Sequence, residues 1–188
     1  MNHTAQSFAD RAAQFTLVVR GVEGRWDASS PCAGWSARDV VAHVIETQRD
    51  FLGQQGFDLG LAPDLGDPGR AWAEHAEQAC DILLQDGVAE REYDGYFGPT
   101  TLGATMADFY GWDLVIHASD VARATGQPWS VDEEQAAALT ATADGWGEAL
   151  YSAGICAPPL EVSDDASPTD RLLARLGRDP DWSSEQQS

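Results

Sequence analysis

Asp113 and His117 stand four residues apart in the stretch FYGWDLVIHASDVARATG. On a helix that turns about 100° per residue, this spacing projects both side chains from nearly the same side, one turn apart. An imidazole nitrogen and a carboxylate oxygen so placed can be two ligands of one divalent ion, and zinc, nickel and iron all accept that mixture. The third ligand must come from another element. His43 is the candidate, because it lies among Val40, Val44 and Ile45, where a solvated imidazole would be poorly placed. Three protein ligands leave a coordination position open to water or substrate. Asp120 follows on the same side as His117 and is placed to hold its ring in one tautomer. Glu46, one turn beyond His43, is placed to do likewise or to act as a base, so Glu46 and Asp120 are the candidates for catalytic proton handling.

The same residues admit a plainer reading. A histidine on an apolar face is more often a hydrogen-bonded core residue than a ligand, and an Asp-x-x-x-His pair is common on exposed helix faces. On the residues alone, a metal enzyme, a metal-binding protein without turnover, and a structural or dimerising bundle with a closed polar network all remain open. The other candidates are weaker. His3 lies near a fraying end, and His75, among Glu74, Glu77 and Gln78, reads as part of a solvated helix face. Cys32 follows Pro31 near the start of the helix that carries His43 and reads as a small buried thiol rather than a reactive one. No Gly-rich phosphate loop and no Gly-x-Ser-x-Gly nucleophile turn is present.

Five amphipathic segments must position these residues. Phe8, Ala12, Phe15 and Val19 recur at four-three-four spacing and predict a first helix over 4–19. Ser36 with Asp39 predicts a capping box opening a second helix over 37–53. A Gly, Pro and Asp-rich loop leads to a third helix over 71–85, with Trp72, Ala76, Ala79 and Leu83 as its buried side. REYDGYFGPTT suits an extended connection or small hairpin. A fourth helix follows over 102–125, stopped by Gly126, and its stripe of Leu102, Met106, Phe109, Asp113, Ile116, Asp120 and Ala124 should face the core. Carboxylates on such a stripe call for a cation, a hydrogen-bond network or a water-filled pocket, since burying an unpaired carboxylate is costly. A fifth helix over 131–152 starts at Ser130 and an acidic first turn, and Ser167, Pro168 and Asp170 cap a short last helix ending near Leu176.

Composition bounds the function. A chain of 188 residues with 43% hydrophobic and 22% charged residues is one globular domain's worth of sequence. The formal charge of -20 argues against nucleic acid and acidic membrane surfaces as partners. Three widely spaced cysteines suggest neither a disulfide framework nor a zinc knuckle, and no signal peptide or membrane span is evident, so a cytoplasmic location is expected. All eleven basic residues are arginine, a hint of a GC-rich, actinobacterial genome.

Three blocks carry a resemblance. Trp26 with SSPCAGWSARDVVAHVIE, then FYGWDLVIHASDVARATGQPW, then DRLLARLGRDPDW together resemble the actinobacterial metal-binding branch of the DinB-like superfamily. The first two are also similar to the N-terminal domain of mycothiol-dependent maleylpyruvate isomerase, whose metal is held by a histidine on the second helix and a Glu-x-x-x-His pair on a later one. The resemblance lays these ligands on His43, Asp113 and His117, the residues that helical spacing selects independently. It implies an all-α antiparallel four-helix bundle with a long crossover and peripheral helices, spanning 1–155, with a tail over 156–188 packed on the same domain or covering the site. It further implies a metal-dependent transferase or isomerase using a low-molecular-weight thiol such as mycothiol and a small electrophile, with zinc the first choice of metal and nickel or iron the alternatives; a homodimer remains open. Trp35, Tyr110 and Trp112 would shape the pocket. Asp113 is one methylene shorter than the family's Glu, and the tail stands where the isomerase has a separate domain, so an electrophile other than maleylpyruvate is expected.

Overall fold

Phe8, Ala12, Phe15 and Val19 run down one side of α1 (His3–Arg20), and all four are buried. The computed structural model that describes this chain covers residues 2–96, 98–151 and 155–184. It is mostly helical. After α1 come α2 (Ala37–Gln54), α3 (Pro68–Leu84), a hairpin of β1 (Glu92–Gly95) and β2 (Gly98–Thr101), and the short α4 (Leu102–Ala104). A π-helical segment over Thr105–Tyr110 leads into α5 (Gly111–Ala124), followed by α6 (Glu133–Gly145), a 3₁₀ turn over Gly147–Tyr151, and α7 (Pro168–Arg175). α1 packs on α3 and α5, and α2 packs on the same two. The hairpin is antiparallel, with Glu92 opposite Thr101 and Gly95 opposite Gly98. Among the described residues no helix is long and apolar enough to cross a membrane.

The capping signals act largely as the sequence suggests. The Ser36 side chain accepts from the Asp39 amide and Asp39 reaches back to the Ser36 amide, a complete capping box. Ser167 caps α7, with Pro168 in its first turn. The start of α6 differs: Asp132, not Ser130, is the cap, because its carboxylate accepts from the Gln135 amide while Glu133 and Glu134 complement the helix dipole. α6 ends at Gly145 rather than near Ser152: Trp146 is its C-cap and Gly147–Tyr151 form a 3₁₀ turn, while Ser152 itself lies outside the described residues.

The expected fourth helix is continuous but not regular. The Gly111 amide bonds the Met106 carbonyl five residues back, so the segment before α5 makes one wide turn. Leu102 and Met106 stay in the core, whereas Phe109 turns out to be only half-buried. α5 itself is covered on two sides. Leu114, Ala118 and Val121 join the core formed with α1, α2 and α3, while Trp112 and Ile116 join a second core with Leu139, Ala143, Leu172 and Leu176. At about 100° per residue these two apolar stripes leave a third between them, and it carries Asp113, His117 and Asp120.

His75 corrects an expectation. The ring is fully buried on the face it shares with Trp72 and Ala79, and its Nε2 lies 3.0 Å from Gln48 Oε1. Its charged sequence neighbours point elsewhere. Burial, reinforced by the nearby Arg49 charge, lowers its pKa from 6.5 to about 4. The unfolded chain therefore binds a proton between those values that the folded chain refuses. The stability this contributes is complete above pH 6.5 and lost as pH falls toward 4, roughly 3 kcal/mol in all. Urea denaturation of the natural chain and of His75→Leu should accordingly diverge: between pH 7.5 and 4.5 the natural chain loses about 2–3 kcal/mol more than the variant. Parallel losses in the two proteins would show that the folded chain takes up a proton at His75 as readily as the unfolded chain does.

Candidate metal centre

The first wall of the site is the loop before α2. Gly34 takes a positive φ of 79°, which lets the Trp35 amide return to the Cys32 carbonyl at 2.9 Å. The Trp35 ring then lies 4.8 Å from the His43 ring and 6.5 Å from that of His117, stacked nearly parallel on the latter. His43 comes from the middle of α2 and is half-buried; its ring centre is 5.3 Å from that of His117 on α5. Each imidazole is thus held by neighbouring rings rather than left to sample rotamers.

His43, Asp113 and His117 each offer one ligand atom within 4.8 Å of the other two. Asp113 Oδ1 is 3.4 Å from His117 Nε2. The other ring nitrogen, Nδ1, donates to Asp120 Oδ2 at 2.9 Å, since an ionised carboxylate can only accept. With Nδ1 committed to Asp120, Nε2 is the nitrogen turned toward Asp113 and His43, and it becomes a ligand atom when an ion takes the place of its proton. These atoms line one wall of a cleft of about 670 Å³, to which Trp35, Tyr110 and Trp112 contribute aromatic surface.

Electrostatics favour positive charge at this point. Burial pushes the His117 pKa down, but Asp113, the Asp120 hydrogen bond and the Cys32 contact outweigh it and raise the pKa well above 6.5. The His43 pKa is lowered by burial and by His117, with Asp113 opposing, so His43 stays a neutral imidazole with a free lone pair. Two imidazoles and a carboxylate, gathered where a cation is favoured and beside open space, form a donor set that fits one divalent ion.

A second cluster shares His117: Cys32, His117 and Asp120 also offer three atoms within 4.8 Å of one another. Asp120 is already committed there. It is fully buried, and Arg178 grips both its oxygens, Nε to Oδ1 at 2.9 Å and Nη2 to Oδ2 at 2.9 Å. Cys32 Sγ donates to the same Oδ2 at 3.3 Å. Burial alone would favour a neutral Asp120, but Arg178 and the His117 hydrogen bond hold its carboxyl well below the usual carboxylate range. A metal ion at this cluster would have to displace a bidentate guanidinium and then sit beside it, so the His43, Asp113 and His117 group is the better site.

Arg178 comes from the chain just after α7. Gly177 takes a positive φ of 72°, and a Cβ there would meet the Ala157 carbonyl oxygen at 2.5 Å, so only glycine makes this turn. The segment beyond is anchored by Arg123, whose Nη2 donates to the carbonyls of Asp179, Pro180 and Trp182.

Of the residues singled out by sequence, the structure brings His43, Asp113, His117 and Asp120 together. It leaves Glu46 exposed on α2, outside the cleft lining. Asp120 is fully buried and hydrogen-bonded to His117, Arg178 and Cys32. Cys32 is half-buried at the cleft rather than enclosed in the core. Arg178 and Cys156, whose Sγ is 4.0 Å from Arg178 Nη1, were not among the sequence candidates. The signal for Arg178 was faint: a basic residue directly after a glycine that ends an amphipathic helix, in a strongly acidic chain. Among known proteins, the family model described as mycothiol maleylpyruvate isomerase N-terminal domain matches residues 8–122. No curated protein and no solved structure matches the chain.

Proposed function

Because the chain belongs to the family of the mycothiol maleylpyruvate isomerase N-terminal domain, we propose that it is a metal-dependent thiol transferase or isomerase, with His43, Asp113 and His117 as ligands of one divalent ion. Zinc is the first choice, with nickel and iron as alternatives, and mycothiol is the expected thiol. The observation that carries this is the meeting of three donor atoms within 4.8 Å on the wall of an open cleft. A purely structural zinc site closes its coordination with four protein ligands, whereas three ligands beside a cleft suit a centre that accepts an outside group. The four long helices, α1, α2, α3 and α5, are read as an antiparallel four-helix bundle, with α6, α7 and the tail as its outer layer.

When bound, such an ion lowers the pKa of a thiol that coordinates it and so supplies a nucleophile at neutral pH. The chain's own residues prepare that place. Asp120 fixes the His117 tautomer, and Arg178 keeps Asp120 ionised while it does so. Trp35 braces both imidazoles. Tyr110 stays protonated, since burial and then the Asp113 charge push its pKa upward, and its hydroxyl remains a hydrogen-bond donor at the cleft. Asp113 reaches less far than a glutamate would, and no basic residue other than Arg178 and the two imidazoles lines the described cleft. That arrangement disfavours a dianionic electrophile such as maleylpyruvate.

The test uses tag-free protein loaded with cobalt in place of zinc. Mycothiol should produce a new sulfur-to-cobalt absorption band, and His43→Ala should abolish it. Absence of the band with mycothiol and with simpler thiols would contradict a thiol enzyme.

A further inference from the structure

A second cleft, of about 840 Å³, adjoins the metal centre. Its walls are the β1–β2 hairpin, the end of α2, the π-helical segment, Trp146 at the end of α6, and Ile155. Phe109, Tyr110 and Ile155 line both clefts, so the two meet across a threshold of two aromatic rings and one aliphatic side chain. The hairpin is fastened to the π-helical segment by a 2.6 Å hydrogen bond between the Tyr93 hydroxyl and Thr105 Oγ1. This gives the cleft a fixed wall rather than a loose flap.

The lining is aromatic. The Phe51 ring lies 5.1 Å from that of Tyr110 and 5.8 Å from that of Tyr93, and Phe109 meets Trp146 edge-on at 5.4 Å. Rings in such offset and edge-on arrangements leave faces and edges for another ring to pack against. The charged residues among the described lining are Asp94 and Asp108, both carboxylates; Arg11, which donates to the Ala107 carbonyl and interacts with the Asp108 charge, lies outside that lining. In a chain of net charge -20, two carboxylates with no cationic side chain among the described lining residues disfavour an anionic occupant.

Building on the thiol-enzyme reading above, we propose that this cleft binds the second reactant, an uncharged aromatic compound, and presents it across the Phe109–Tyr110 threshold to the metal centre. The thiol and its partner then approach the centre from different sides. The π-helical turn has a role in this arrangement: it places Phe109 and Tyr110 between the two clefts instead of burying Phe109 in the core stripe.

Equilibrium dialysis on the zinc-loaded full chain, using 2,4-dinitroanisole as an uncharged probe and 2,4-dinitrobenzoate as its carboxylate counterpart, tests the proposal. The uncharged probe should bind at least about tenfold more tightly. Thr100→Trp, which fills the cleft from β2, should weaken its binding by at least about tenfold, while zinc content and the cobalt–thiol band stay as in the natural chain. Asp108→Arg, on an exposed position of the π-helical segment, should tighten dinitrobenzoate by about tenfold, and it keeps the question answerable should Thr100→Trp fail to fold. Equal affinity for the two probes, or an unchanged affinity in a folded Thr100→Trp, would overturn the proposal. Loss of the cobalt–thiol band alone, with probe binding intact, would sink the thiol reading and leave the cleft assignment standing.

Discussion

His117→Ala leaves the purified protein without stoichiometric metal. In the proposed centre the side chain contributes a ligand atom and is also the link through which Asp120 and Arg178 act on it. Its loss should therefore exceed the roughly 10–100-fold drop in affinity that removing an outer hydrogen-bond partner causes. His43→Ala should behave in the same way. His75→Ala is the control. It keeps its metal, but the removed ring is fully buried, so the variant is less stable by about 2–5 kcal/mol in urea denaturation, the range for emptying a large core position. Metal analysis by mass spectrometry of all three variants is decisive, because equal loss of metal in each would refute the ligand assignment.

The second large effect is expected far along the chain. Arg178→Met leaves the fully buried Asp120 carboxylate with His117 and Cys32 as its remaining partners. Breaking a buried ion pair from one side costs about 3–5 kcal/mol, because the remaining charge has lost its compensation. Metal affinity should fall as well, by roughly 10–100-fold, since Asp120 no longer holds the His117 ring as firmly. The two effects can be separated. Adding Asp120→Asn to Arg178→Met removes the stranded charge and should recover much of the stability, while metal affinity stays low. Recovery of both together would mean that Arg178 serves only the fold; no loss of either in the single variant would mean that the guanidinium is not engaged with Asp120 in solution.

These residues also show how far the sequence could be read. Asp113 and His117 were legible because their four-residue spacing is local geometry, and His43 because apolar neighbours on its helix signal an interior face. Asp120 was legible for the same reason, although its contact with Arg178, 58 residues away, was not. Contacts at that separation depend on where the tail folds back, and the tail is directed by a single glycine at position 177. The error at His75 had a different source. Its immediate neighbours are charged, but Trp72, His75 and Ala79 fall at three-four spacing, and that periodicity decides the face, not the adjacent side chains. The hairpin was readable from its aromatic residues and Gly98–Pro99. The wide turn before α5 was not, since no residue type demands it, and it moved Phe109 out of the core stripe. The reach of Glu46 was overstated: lying one turn from His43 does not put a side chain in the cleft when that position of α2 faces solvent.

X-ray absorption at the zinc edge of the zinc-loaded, thiol-free protein tests the central claim most directly. Ligation by His43, Asp113 and His117 predicts only nitrogen and oxygen neighbours, at roughly 2.0–2.2 Å, with a sulfur neighbour near 2.3 Å appearing once mycothiol is added. A sulfur neighbour present before any thiol is added would place the ion at Cys32, His117 and Asp120 instead, and would contradict the account.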